Sequence, residues 1–295
     1  MRRFAFVTVD VFTEERFGGN PLAVFPDAQG LADREMQALA AEFNLSETTF
    51  VLPPADLANT ACVRIFNRTY EMPFAGHPNV GTAYVLAQQG QDKDGVLRFE
   101  EIAGIVEVTV ERDAAGTVIG TTIAAPQPLS LGPELPAATV AACAGLMPAD
   151  IVTAAHPPVA ASVGNPFVIA QVTVAALARA TPSIEAFRAA LAERPDFGKR
   201  LSVYLYATDS ARLRARMFAP LSGTWEDPAT GSAATPLAAL LLKLSGKETG
   251  RYDIVQGVEM GRPSLLRTTA RRAADGVHAT VGGSCVPVLR GEATV

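Results

Sequence analysis

Glu47, His77, Asp227 and Ser232 are the candidates for chemistry in this chain, and the chemistry their surroundings suggest is the holding of a small carboxylate. Glu47 follows Asn44-Leu45-Ser46 at the entrance to an apolar run, Thr48 to Leu52, where a carboxylate can project from a fixed backbone. His77 lies in Phe74-Ala75-Gly76-His77-Pro78-Asn79-Val80-Gly81-Thr82-Ala83. Asp227 and Ser232 lie in Glu226-Asp227-Pro228-Ala229-Thr230-Gly231-Ser232-Ala233. Both stretches run into apolar sequence, Tyr84 to Ala87 and Leu237 to Leu242, so each reads as a loop opening into a buried helix. A helix start carries unpaired N–H groups and about half a positive charge, so it attracts anions. Two such ends facing one another would hold a small carboxylate, and a His at one of them is biased towards its neutral form.

Each candidate also has a plainer reading. A lone His is more often structural, Asp227 could cap the turn that follows it, Ser232 and Thr82 could be N-caps, and Glu47 is by default a surface carboxylate. The position of His77 at a helix start, matched by an acid in the second stretch, is what lifts it above that background.

The elements that position these residues occur twice. Pairing Gly81 with Gly231 also pairs His77 with Asp227 and Thr82 with Ser232, at a spacing of 150 residues. Arg64-Ile65-Phe66 matches Arg216-Met217-Phe218, and Gly19-Asn20-Pro21-Leu22-Ala23-Val24 matches Gly164-Asn165-Pro166-Phe167-Val168-Ile169. A repeat this long implies two similar halves rather than a solenoid. The 295 residues suffice for two domains, and 48% hydrophobic content excludes a disordered chain.

The formal net charge of −5 and the scattered Lys and Arg give no basic stripe for nucleic acid. Arg212-Leu213-Arg214-Ala215-Arg216 reads as one solvated strand face. No apolar run reaches the roughly 18–20 residues that span a bilayer. The first residues begin like a signal peptide but reach Asp10 and Glu14 too soon, so a cytoplasmic location is expected. Cys62, Cys143 and Cys285 are odd in number and widely spaced, and read as reduced, mostly buried thiols. His156 reads as loop, His278 as strand and Trp225 as packing. Gly282-Gly283 is a turn, and no dinucleotide fingerprint or P-loop occurs.

Alternation and turn residues predict strands at 4–11, 22–25, 48–52, 62–67, 97–101, 104–111 and 118–124 in the first half, with helices at 32–43 and after Pro78. Ala125-Pro126-Gln127-Pro128-Leu129 is the expected crossing, and a helix is expected at 137–146. The second half predicts strands at 162–170, 201–207, 212–218, 253–257, 265–270 and 278–281, with helices at 184–193 and after the second loop. Many short strands around one apolar helix per half suggest an α+β fold with each sheet curled around its helix. Pro236 cannot sit mid-helix without losing a hydrogen bond. The sequence therefore predicts Ser232 near the N-cap or a kinked first turn, with 227–232 non-helical.

Gly19-Asn20-Pro21, Asn44-Leu45-Ser46-Glu47-Thr48, Phe74-Ala75-Gly76-His77-Pro78, the Asp227–Ala233 stretch and Gly261-Arg262-Pro263-Ser264 together resemble the PhzF family of phenazine biosynthesis, along essentially the whole chain. The resemblance implies a diaminopimelate-epimerase-like α+β fold: two pseudo-symmetric domains, each a curled mixed or antiparallel sheet around a central helix, with the active site in the cleft between them. The expected boundaries are 1–124 and 128–283, the terminal strand 284–295 being a candidate to return to the first domain. It also implies an isomerase that moves a proton within a small carboxylated metabolite without cofactor or metal, in a homodimer. Glu47 matches the family's general acid/base, and His77, Asp227 and Ser232 match its other catalytic polar residues. Asp227 would then orient an amine or hydroxyl, while Asn20, Gly76 and Gly231 are expected to contact substrate.

Related epimerases and racemases use two facing cysteines, which the helix starts here lack. Two other readings stay open: an amino-acid-type epimerase or racemase with a non-Cys base, and a non-catalytic small-anion-binding protein.

Overall fold

The computed structural model describes residues 1–197, 201–209 and 212–295. They form two compact units, Met1–Ala124 with Val281–Val295, and Ala125–Thr280. The fold is mixed α/β, rich in strands, with six α-helices among the described residues.

In the first unit β1 (Arg3–Val11) pairs antiparallel with β2 (Asn20–Phe25). Helix α1 (Asp33–Phe43) then leads to β3 (Thr48–Leu52), parallel to β2. Strand β4 (Ala61–Phe66) runs antiparallel to β3, and the short β5 (Glu71–Met72) turns back along it. Helix α2 (Gly76–Gln88) connects to β6 (Val96–Glu101), parallel to β4, and β7 (Gly104–Arg112) and β8 (Val118–Ala124) complete an antiparallel meander.

Helix α1 is amphipathic. Asp33 and Glu35 complement the dipole at its start, and Met36 and Ala40 face a cluster containing Phe25, Phe50 and Phe66. It stops at Asn44, whose left-handed backbone (φ 53°) returns its N–H to the Ala40 and Ala41 carbonyls. That stop throws the chain into β3 and sets the position of Glu47. Helix α2 is different: every residue from Gly76 to Ala87 is buried. It touches β1, β2, β3, β7 and β8, as a helix that is apolar all round must. Gly81 permits the close approach, because a Cβ there would lie 2.6 Å from Leu22 Cδ2 and 2.8 Å from Val11 Cγ2.

The second unit opens with β9 (Ser130–Glu134), α3 (Ala137–Cys143) and β10 (Ile151–Val152). Strands β11 (Val159–Ser162) and β12 (Pro166–Val172) form an antiparallel hairpin. Helices α4 (Val174–Arg179) and α5 (Ile184–Glu193) lead to β13 (Val203–Asp209), parallel to β12. Then come β14 (Arg212–Ala219), β15 (Thr224–Asp227), α6 (Gly231–Ser245), β16 (Thr249–Gln256) and β17 (Ser264–Ala273). Strand β14 is antiparallel to β13 and β15 but parallel to β16, and β16 is antiparallel to β17. Helix α6 is buried along most of its length and packs on β11, β12, β16 and β17. The last strand, β18 (Gly276–Thr294), begins in this unit and ends in the first. There it pairs antiparallel with all of β1, from Arg3 opposite Thr294 to Val11 opposite Cys285.

Several expectations change. The strand expected at 162–170 is two strands, broken at Gly164 (φ 147°), whose N–H meets Ser162 Oγ at 3.0 Å. Helix α3 ends at Cys143, ahead of Gly145 (φ 64°), rather than at Leu146. Helix α6 starts at Gly231, so Gly231 and Ser232 are its first helical residues rather than loop. Pro236 is accommodated inside that helix, with no N–H for the Ser232 carbonyl. The helix starts also correct the motif alignment. Gly231 is the first residue of α6 whereas Gly81 lies in the second turn of α2, so helix position pairs Gly76 with Gly231 and His77 with Ser232.

Candidate active-site residues

In the first unit, Asn20, Glu47, Gly76 and His77 come together. Asn20 opens β2 and is fully buried. Gly76 and His77 are the first two residues of α2, behind Ala75, which offers no side-chain cap to the helix. Asn79 Nδ2 donates to the Ala75 carbonyl at 3.1 Å and fixes this entry. His77 Nδ1 lies 3.4 Å from Glu47 Oε2 and 3.5 Å from Asn20 Nδ2. The Glu47 side chain is 16% exposed and that of His77 is 6% exposed.

Burial pushes the His77 imidazole down to about 3, so the ring is neutral at physiological pH. Its approach to Glu47 is therefore not an ion pair. Nδ1 either donates to the Glu47 carboxylate or accepts from the Asn20 amide, and both contacts are long enough to tighten on a ligand. Nε2 is buried without a hydrogen-bond partner. Leaving a buried polar atom unpaired costs about 1–3 kcal/mol, a cost that function commonly explains.

In the second unit, Asp227, Gly231 and Ser232 come together. Asp227 ends β15 opposite Met217 of β14 and is buried. Its Oδ2 accepts from the Thr230 hydroxyl at 2.6 Å. Thr230 is the N-cap of α6, yet its side chain makes no cap bond to the helix. Gly231 is buried, and Ser232 is half-buried on the first turn. Thr230 was not singled out in the sequence, since a Thr before a helix reads as an ordinary cap.

Cys62 is half-buried and Cys143 and Cys285 are buried, and none of the three is in a disulfide. Burial pushes the Cys143 thiol up to about 12, which removes it as a nucleophile. Among the described residues, no three His, Cys, Asp or Glu side chains converge as metal ligands. No described helix is long and apolar enough to cross a membrane.

The fold is the one seen in PhzF proteins and in epimerase-like structures. A PhzF-family phenazine biosynthesis protein from Bacillus anthracis aligns over 100% of both chains with a TM-score of 0.88 and 25% identity. A predicted epimerase of Pseudomonas aeruginosa aligns over 99% of both, with a TM-score of 0.80 and 30% identity. Residues 9–291 match the PhzC-PhzF family model, described as phenazine biosynthesis-like protein, and the chain belongs to that family. The trans-2,3-dihydro-3-hydroxyanthranilate isomerase of Pseudomonas aeruginosa is 37% identical over 292 residues, covering 98% of each chain.

Proposed function

We propose that this protein is an isomerase that takes a proton from one atom of a small carboxylated substrate and returns it to another, with Glu47 as the carrier. The observation that carries the reading is the Glu47 carboxylate, largely enclosed and lying 3.4 Å from a neutral imidazole. A neutral ring adds no positive charge beside the carboxylate, whereas an imidazolium there would hold it ionised. The kinship with a named isomerase along the whole chain supports the same class of reaction.

The remaining roles follow from chemistry. His77 supplies a hydrogen bond without charge. Asp227 receives an N–H or O–H substituent, and Ser232, Gly231 and Gly76 present helix-start donors suited to a carboxylate. Asn20 orients the His77 ring.

The two units read as pseudo-symmetric copies with the sheet curled around α2 or α6. The pairings from β1 to β7 and from β11 to β17 follow one succession of antiparallel and parallel neighbours. The Arg64–Glu71 pair with its guanidinium over Phe66 has a counterpart in Arg216–Glu226 over Phe218.

The test uses trans-2,3-dihydro-3-hydroxyanthranilate and a panel of other small carboxylates, each incubated with the protein in deuterated water. Carbon-bound deuterium entering one of these compounds in step with enzyme concentration is the expected result. Its absence from every compound the protein demonstrably binds would overturn the proposal.

A further inference from the structure

Gln256 ends β16 and is 1% exposed. Its side-chain amide uses all of its usual bonding capacity. Oε1 accepts from the Tyr204 hydroxyl at 3.1 Å and from the Thr230 N–H at 3.2 Å. Nε2 donates to the Asp227 backbone carbonyl at 2.8 Å and to Thr230 Oγ1 at 3.0 Å. The orientation of the amide is fixed by chemistry: a backbone N–H needs the oxygen and a backbone carbonyl needs the nitrogen.

That orientation propagates. Thr230 Oγ1 accepts from Nε2, so its own proton must point elsewhere, and the acceptor it meets is Asp227 Oδ2 at 2.6 Å. Tyr204 lies at the other end. Its hydroxyl is fully buried, and burial with the nearby Asp227 charge pushes its pKa well above the usual tyrosine range, so it remains a donor. The side-chain-to-side-chain bonds from Tyr204 through Gln256 and Thr230 therefore run in one direction and end on the Asp227 carboxylate.

The backbone under this chain is also held. Gly257 (φ 76°) brings the following turn so close that a Cβ would lie 2.6 Å from the Pro228 carbonyl, and Ser264 Oγ lies 2.9 Å from the same carbonyl. On β14, Arg216 is paired with Glu226 and Arg214 with Glu259.

We propose that Tyr204, Gln256 and Thr230 are positioning residues, a one-way chain of hydrogen bonds that holds Asp227 as an oriented anion ready to accept from an N–H or O–H group of the substrate. The inference rests on the role given to Asp227 above. Hydrogen bonds in series polarise one another, so the last donor is stronger than an isolated hydroxyl. A carboxylate stabilised by such a donor resists protonation.

The test is a ¹³C NMR titration of the protein labelled at aspartate Cγ, with Asp227 assigned from its loss in Asp227→Asn. Thr230→Val preserves shape and removes the hydroxyl, so the Asp227 midpoint should rise by about one pH unit, and Thr230→Ser should restore it. Tyr204→Phe, which removes only the far donor, should move the midpoint the same way by less. In turnover of the trans-2,3-dihydro-3-hydroxyanthranilate probe, or whichever panel compound exchanges, KM should rise more than kcat falls in Thr230→Val. An unshifted Asp227 midpoint in Thr230→Val and Tyr204→Phe, with only a lower Tm, would overturn the proposal. Should Thr230→Val fail to fold, the Tyr204→Phe titration decides alone. Full turnover in Asp227→Asn would instead remove the catalytic reading while leaving the titration result standing.

Discussion

His77 Nδ1 stands 3.4 Å from Glu47 Oε2, and the ring that makes this contact is uncharged. The two residues come from the first turn of α2 and the entrance to β3, so the distance is set by how that helix is enclosed in its own unit. A neutral ring can supply or accept a hydrogen bond without placing a positive charge beside the Glu47 carboxylate.

Glu47→Gln keeps size and one acceptor but cannot carry a proton. General acid/base catalysis is typically worth about 10²–10⁴-fold, and the variant should lose solvent exchange by that order. A change at a partly exposed carboxylate alters stability by only about 0.5 kcal/mol, so it should fold and still bind a carboxylated ligand. Asp227→Asn should weaken binding as well as turnover. Deuterium exchange and ligand affinity, measured on both proteins, separate the roles; unchanged exchange in Glu47→Gln would refute the assignment.

Two buried groups predict how stability varies with pH. Burial pushes the Glu101 carboxyl up from 4.5 to about 8, against a weaker opposing pull from the Asn79 amide. The folded state therefore holds a proton that the unfolded state has lost, and stability falls between about pH 4.5 and 8 at up to about 1.4 kcal/mol per unit. His77 acts oppositely: lowered from 6.5 to about 3, it costs stability as pH falls through that window. Their contributions cancel between about 4.5 and 6.5, where a plateau in Tm is expected. Glu101→Gln should flatten the alkaline fall, and a Tm–pH curve unchanged by that substitution would contradict the account.

The two arginine pairs should differ in cost. Arg216 is 7% exposed, grips Glu226 through two nitrogens and donates to the Leu177 and Ala180 carbonyls. Arg216→Met strands a largely enclosed carboxylate and two buried carbonyl contacts, and should cost about 3–5 kcal/mol. Arg64, 21% exposed, pairs with Glu71 and Asp33 near water, and Arg64→Met should cost about 1 kcal/mol. Urea denaturation of both variants reads the difference; equal losses would show that burial does not set it.

Gly81→Ala opposes two effects. In an exposed helix the change would gain about 1 kcal/mol. Here the new Cβ meets Leu22 and Val11, both fully buried, and overpacking of this kind costs about 1–3 kcal/mol. A net loss of stability is expected from thermal unfolding, and a gain would mean that Leu22 moves aside freely.

Much of the architecture was legible because its causes are local. The Met36–Ala40 stripe, the apolar runs after both loops and the alternation in β1 and β7 each carry their own period. What was hidden depended on partners distant in sequence. Glu101 follows Glu100 and looks like solvent-facing charge, yet both of its carboxylate oxygens are buried. Gln256 and Tyr204 meet each other and Thr230 only through strands distant in sequence, so no local pattern marks them. The Gly81–Gly231 alignment matched letters within the motifs, while the helices themselves begin at Gly76 and Gly231. A helix start is set by where the preceding strand releases the chain, and no spacing of small residues records that.

The pairing of β18 with β1 has a consequence for synthesis on the ribosome. Residues 125–280 form one compact unit, inserted between the two parts of the other. That inserted unit has all of its sequence before the last stretch of chain emerges. The first unit does not, because β1 finds its long antiparallel neighbour only in residues 285–294. Domains that follow one another usually fold from the N-terminus onward. In this chain the half begun first is completed only after the inserted unit, and until residues 285–294 emerge one side of β1 stays an open sheet edge.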